Sequence, residues 1–281
     1  MATILDGKAL AAKMRLEIAE EVKALPRKPG MAVILVGDNP ASRLYVSNKE
    51  KDCAECGFAS FEYKLPEDAS EEEVLSIIHE LNQRDDVDGI LVQLPVPKHI
   101  SERKIIEAIS PAKDVDAFHP ENVGRMTIGH SLLWPCTPSG VMEMLKAYNI
   151  EVAGKHCVVI GRSNIVGKPM ALLLLADNGT VTVCHSKTPN LKEECLKADI
   201  LVSAVGRIGL VTADMVKEGA VVIDVAMNRN DAGKFCGDVV YDEVKEKASF
   251  ITPVPGGVGP MTRVMLMKNV LTAAQARQKG F

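Results

Sequence analysis

Short apolar runs alternate with helical stretches along most of this 281-residue chain, and that alternation constrains the fold more than any other feature. Residues 32–36, 89–93, 157–160, 200–202 and 221–225 are near-continuous apolar runs of strand length, and 58–65 and 181–184 are further strands. Strands without polar alternation are covered on both faces. Between them apolar residues fall at helical spacing, as in Leu10, Met14, Ile18, Val22 and Leu25, with Asp6 placed as an N-cap. A second helix spans about 41–56 and ends at Gly57, and Ser70 with Glu73 forms a capping box for a third, running through Leu81. Buried strands joined by helices imply parallel sheets in an α/β protein.

Periodicity fades over residues 111–138, which are rich in Pro and Gly and read as a linker. The alternation resumes beyond it. The expected architecture is therefore two α/β domains with a cleft between them, a common place for a ligand. The first is a parallel-sheet domain over 1–138. The second, over 139–261, is a Rossmann-like doubly wound domain, and the last helix, about 262–281, packs back on the first.

Composition narrows the function classes. Apolar residues make up 47% and charged residues 25%, an ordinary globular balance. Lys and Arg number 33 against 37 Asp and Glu, a net charge of −4 with no basic block, which argues against nucleic acid as a partner. The longest purely apolar run, 170–176, is far short of the ~20 residues that span a bilayer. The N-terminal residues lack the pattern of a secretory signal, and seven cysteines without a framework fit reduced thiols, so a cytoplasmic location is expected.

Residues 158–169 read as strand, glycine turn and helix start. Gly161 lets backbone approach a pyrophosphate and the helix amides favour an anion, although Ser163 and Gly167 depart from the usual glycine spacing. A tight β–α turn without a nucleotide is the alternative. The following strand ends in His185-Ser186-Lys187-Thr188, with no acid for a ribose 2′-hydroxyl. Hydroxyls and a cation there, with Arg162 in the turn, favour NADP over NAD. In the first domain, Tyr45 and Lys49 share a helix face, Gln93 ends an apolar strand, and Asp116 sits in a Lys-Asp-Val-Asp segment. Each alone is more often a core-edge, capping or surface residue. Cys53 and Cys56 lack partners for a zinc site, and no His-x-x-x-His pair suggests a metal.

These blocks carry a resemblance. Asn39-Pro40-Ala41-Ser42 with Tyr45 and Lys49, residues 87–95, Lys113-Asp114-Val115-Asp116, Pro135-Cys136-Thr137-Pro138, the 161–169 turn, Gly237-Asp238-Val239 and residues 251–262 stand in order along nearly the whole chain. Together they resemble the methylenetetrahydrofolate dehydrogenase/methenyltetrahydrofolate cyclohydrolase family. The resemblance implies oxidation of 5,10-methylenetetrahydrofolate with NADP+, then hydrolysis of the methenyl product to 10-formyltetrahydrofolate. It implies a folate-binding catalytic first domain and an NADP-binding second domain. Lys49, Gln93, Asp116 and Tyr45 then form the catalytic set: Lys49 handles protons, Gln93 orients it, Tyr45 lies along the folate ring and Asp116 accepts from the pterin. Gly256, Gly257 and Pro260 line the folate, while Gly161, Arg162, Ser163, Gly167, Ser186 and Met227 hold the cofactor. A homodimer is also implied. The chain departs from the family pattern at Ala117, Ile208 and Ala226-Met227, where altered affinity is expected. A catalytically silent binder, or a dehydrogenase with little hydrolytic activity, is the competing reading. Retention of Lys49, Gln93 and Asp116 together favours the enzyme.

Overall fold

The computed structural model describes residues 1–278, except for the side chains of residues 40, 41, 44 and 45. In chain order the elements begin with β1 (Thr3–Ile4), α1 (Gly7–Lys23), β2 (Gly30–Val36), α2 (Pro40–Cys56), β3 (Ala59–Leu65), α3 (Glu71–Gln83) and β4 (Gly89–Val92). There follow α4 (Glu102–Ala108), α5 (Pro120–Thr127), α6 (Cys136–Ala147), β5 (His156–Ile160), α7 (Gly167–Ala176), β6 (Thr180–Cys184), α8 (Leu191–Leu196) and β7 (Ile200–Ser203). The chain closes with β8 (Val221–Asp224), β9 (Asn228–Arg229), β10 (Phe235–Cys236), α9 (Tyr241–Val244), β11 (Phe250–Ile251) and α10 (Val258–Gln278). Two compact units result: Met1–Ala12 with Thr137–Thr262, and Lys13–Cys136 with the chain from Arg263 onward.

In the unit formed by Lys13–Cys136 and the C-terminal stretch, β2 is the centre of a parallel sheet ordered β3-β2-β4. Every residue of β2 and β4 is buried, as their unbroken apolar sequence requires. Ala32, Ile34, Ile78, Leu81, Ile90 and Ile105 pack in one core cluster. The Ser70 hydroxyl accepts from the Glu73 amide at 3.1 Å, the first half of the expected capping box. Segment 111–138 is not a bare linker. It belongs to this unit up to Cys136 and contains α5. That helix is short, begins with a proline and buries only Asn122 and Met126, so it leaves little periodic signal. The Asp114 region runs beside β4, with the Ile90 amide donating to Lys113 O at 2.8 Å.

The other unit holds a parallel sheet ordered β1-β11-β8-β7-β5-β6. Residues 1–12 group with this unit. The cause is β1, two residues long, which pairs with β11 and is too short for its sequence to announce. After β5 the chain passes through α7 to β6 on one side, then returns to β7 on the other. The carboxyl ends of β5 and β7 therefore flank the point where strand order reverses, the usual ligand position in open α/β sheets. Val158, Ile160, Leu201, Val222 and Ile251 fill the core of this unit.

Candidate active site

Lys49 lies on α2 and Gln93 follows the last residue of β4, so a helix and a strand end supply the two groups. The Lys49 ammonium donates to Gln93 Oε1 at 3.0 Å, and Gln93 Nε2 donates to Leu94 O at 2.7 Å. The second contact fixes the amide orientation, so Gln93 presents its oxygen to the lysine. Gln93 is itself held by its backbone amide, which donates to Ile34 O at 2.9 Å. Burial pulls the Lys49 amine below the ordinary lysine value, with Arg263 acting the same way, while Asp116 opposes both. The side chain of Tyr45 lies outside the described residues.

Asp116 and Cys136 complete this cluster. Burial lifts the Asp116 carboxyl to about 6, against the pull of Lys49. Cys136 Sγ lies 3.4 Å from Val115 O and 4.0 Å from Asp116 Oδ1, and burial pushes its thiol well above the usual range. The segment bearing Asp116 is tied down from two directions. Asp114 accepts from the His119 amide at 2.7 Å and from Asn122 Nδ2 at 3.0 Å. Asn269 of α10 donates to Val115 O at 2.8 Å and Trp134 O at 2.7 Å. Ala117 takes φ +58°, a left-handed conformation that a glycine would adopt without penalty. Its methyl is buried with Leu133 and Ala273. A lysine with a lowered pKa beside an oriented amide and a raised carboxyl suits proton transfer to and from a bound ligand.

The glycine turn after β5 is built as a nucleotide cradle requires. Gly161 has φ +124°, and a Cβ there would lie 2.5 Å from Ala204 O, in the loop after β7. A Cβ at Gly167 would lie 2.3 Å from Gly161 O. Ser163 Oγ accepts from the Val166 and Gly167 amides at 3.1 and 3.2 Å, so Ser163 shapes the turn. Ile160 and Cys184 pair in register, and therefore Arg162 and Ser186 each follow an adjacent strand end by two residues. Both are exposed. The absence of an acid at the end of β6 and the presence of these two groups fit a 2′-phosphorylated dinucleotide.

The far side of this cradle rests on two buried carboxylates. Asp238 Oδ2 accepts from Ser203 Oγ at 2.8 Å, Val205 N at 2.9 Å and Gly206 N at 3.3 Å. Its Oδ1 accepts from Arg207 N at 2.6 Å and Asn228 Nδ2 at 3.2 Å. Asp224, lifted to about 6 by burial, accepts from the Asp238 and Val239 amides at 3.1 and 2.8 Å. A Cβ at Gly237 would lie 1.9 Å from Asp224 Oδ2, which explains the glycine of the Gly-Asp-Val block. Val205, Ile208 and Met227 remain exposed at these strand ends. In the 253–260 loop, Gly256 has φ +108°, and a Cβ at Gly257 would lie 2.6 Å from Pro253 O, so the loop's own packing requires glycine at 257.

Comparison with known proteins finds matches over nearly the whole chain. Residues 5–116 match the tetrahydrofolate dehydrogenase/cyclohydrolase catalytic domain, and residues 135–278 match the NAD(P)-binding domain of the same family. The bifunctional protein FolD of Acetivibrio thermocellus is 57% identical over 281 residues, 99% of each chain. This chain belongs to the tetrahydrofolate dehydrogenase/cyclohydrolase family. The crystal structure of the bifunctional FolD enzyme of Campylobacter jejuni is 51% identical, with a TM-score of 0.97 over 99% of this chain and 100% of that one. The Trypanosoma brucei methylenetetrahydrofolate dehydrogenase-cyclohydrolase, solved with NADP and an inhibitor, is 39% identical, with a TM-score of 0.95 over 99% of each chain.

Within this member of the tetrahydrofolate dehydrogenase/cyclohydrolase family, sequence reasoning gave no role to four supporting residues: Asp224, Asp238, Arg263 and Asn269. The two acids had a signal, since Asp224 closes an apolar strand and Asp238 follows a glycine. Arg263 and Asn269 had none, because their partners lie more than a hundred residues away.

Proposed function

We infer that this chain oxidises 5,10-methylenetetrahydrofolate with NADP+ and hydrolyses the resulting methenyl compound to 10-formyltetrahydrofolate. The observation that carries the reading is the Lys49–Gln93 contact at 3.0 Å beside Asp116, in a chain of this family. NADP+, when bound, accepts the hydride of the first reaction. Transfer of hydride needs positioning rather than an acid or base, and the turn residues Gly161, Arg162, Ser163, Gly167 and Ser186, with Met227, have that task. Arg162 and Ser186 take the 2′-phosphate.

The second reaction is where side-chain chemistry enters. Water adds its oxygen to the cationic methenyl carbon and loses a proton; the bond from that carbon to N5 then breaks as the adduct's hydroxyl gives up its proton to become the formyl carbonyl, and N5 gains a proton, so one proton is released overall. Lys49, whose ammonium form burial disfavours, takes the proton from water and returns one to N5. Gln93 orients the amine through its oxygen. Asp116 accepts from the pterin N–H groups, and Tyr45 supports the ring. Gly256, Gly257 and Pro260 supply backbone to folate binding. The departures from family pattern at Ala117, Ile208 and Ala226-Met227 alter affinity rather than the chemistry.

Two coarser features complete the proposal. The chain acts as a homodimer through the cofactor unit, supported by exposed Val183 on the edge strand β6 and exposed Leu175 on α7. It acts in the cytoplasm, supported by free thiols at Cys53, Cys56, Cys136, Cys157, Cys184, Cys195 and Cys236. Among the described residues no helix is long and apolar enough to cross a membrane. A spectral assay with 5,10-methylenetetrahydrofolate, run in parallel with NADP+ and NAD+, tests the reading. Reduced NADP with 10-formyltetrahydrofolate is expected; no turnover with either cofactor by a folded protein would reject it.

A further inference from the structure

Arg263 stands early in α10, with no place in the catalytic set read from the sequence. Its guanidinium grips Asp52 in fork geometry, Nε to Oδ2 and Nη2 to Oδ1, each at 2.6 Å. Asp52 is buried and shares the face of α2 with Asn48 and Lys49, one turn on. The same Nη2 also reaches Asn48 O at 3.4 Å. Both anchors of Arg263 are therefore on the turn that carries Lys49. Arg15 Nη1 lies 3.7 Å from the Asp52 carboxylate, while its Nε pairs with Glu55 at 2.7 Å. Two planar hydrogen bonds fix Arg263 far more tightly than a surface pair would.

We propose that Arg263, locked by Asp52, is a positioning residue for Lys49, holding its helical turn and keeping a fixed cation within range of its amine. This rests on the reading of Lys49 as the proton carrier of the hydrolytic step. The groups that act on the Lys49 charge are Asp116, Cys136 at the start of α6, Cys53 on its own helix, and Arg263. Asp116 and the two cysteines favour the ammonium; burial and Arg263 favour the neutral amine. A lysine that must be neutral to accept a proton gains activity at lower pH from such a neighbour.

The test is the pH profile of cyclohydrolase kcat in four proteins: wild type, Arg263→Lys, Asp52→Asn/Arg263→Gln and Lys49→Met. The double variant replaces a buried ion pair by two amides of similar shape, so no orphan charge is left to unfold the chain. Removing the cation raises the Lys49 pKa, so the acid limb moves to higher pH. Activity at pH 6.5 then falls about threefold to tenfold. Arg263→Lys keeps the charge and restores most of the limb position. NADP+-dependent dehydrogenase activity, assayed in each protein, reports folding independently. An acid limb coincident with wild type in the double variant would overturn the role of Arg263. Hydrolysis surviving in Lys49→Met would instead overturn the reading of Lys49, whatever the Arg263 result.

Discussion

A lysine amine accepts protons near neutral pH only where its surroundings disfavour the ammonium, and at Lys49 burial does this most, with Arg263 adding to it. Lys49→Met is expected to lower the hydrolytic rate by at least a hundredfold, the usual scale of a lost general base, while folate binding, measured by fluorescence titration, persists. Asp116 behaves in the opposite sense. Its carboxyl is raised to about 6, so the ionised acceptor is present above that pH and lost below it. Folate affinity should therefore weaken as pH falls from 7 to 5, and Asp116→Asn should flatten that dependence in the same titration. Lys49, Gln93 and Asp116 were legible in the sequence because family-like blocks surround them. Arg263 and Asn269 were not, since a contact spanning 211 or 154 residues leaves no local pattern.

At the scale of the element, the cofactor turn depends on what is missing from it. Gly161→Ala would set a Cβ against Ala204 O and force alanine to φ +124°. The expected result is a loss of about 2 kcal/mol or more in stability by denaturant unfolding and a KM for NADP+ raised at least tenfold. The loop after β7 depends instead on one carboxylate. Asp238→Ala would strip acceptors from the Val205, Gly206 and Arg207 amides and from Ser203 Oγ. Ser203 is buried whereas Val205, Gly206 and Arg207 are exposed, so water takes over the amides and one unpaired buried hydroxyl remains, a loss of about 1–3 kcal/mol expected as a lowered Tm. The long apolar strands were readable because their period and length are distinctive. Strand β1 and helix α5 were not. Two residues define no period, and a helix that buries two side chains shows almost no stripe.

For the whole molecule, the division into two units follows from long-range pairing more than from linkers. Residues 3–4 join a sheet through strand β11, and the Asp52–Arg263 and Val115–Asn269 contacts tie the C-terminal helix to the unit containing β2. Both chain ends thus belong to units whose other parts lie far along the sequence. The proposed dimer makes its own prediction: Val183→Lys on β6 should shift the species seen by light scattering from two chains to one. The central claim, that one chain performs both reactions with Lys49 serving the second, is tested most directly by following all products in one reaction. Wild type and Lys49→Met would each be given 5,10-methylenetetrahydrofolate and NADP+, with reduced cofactor, methenyl and 10-formyl species read spectrally against an enzyme-free control. The account predicts that wild type forms reduced NADP and 10-formyltetrahydrofolate together, whereas Lys49→Met forms reduced NADP and accumulates the methenyl compound. Formation of 10-formyltetrahydrofolate by Lys49→Met at the wild-type rate would contradict it.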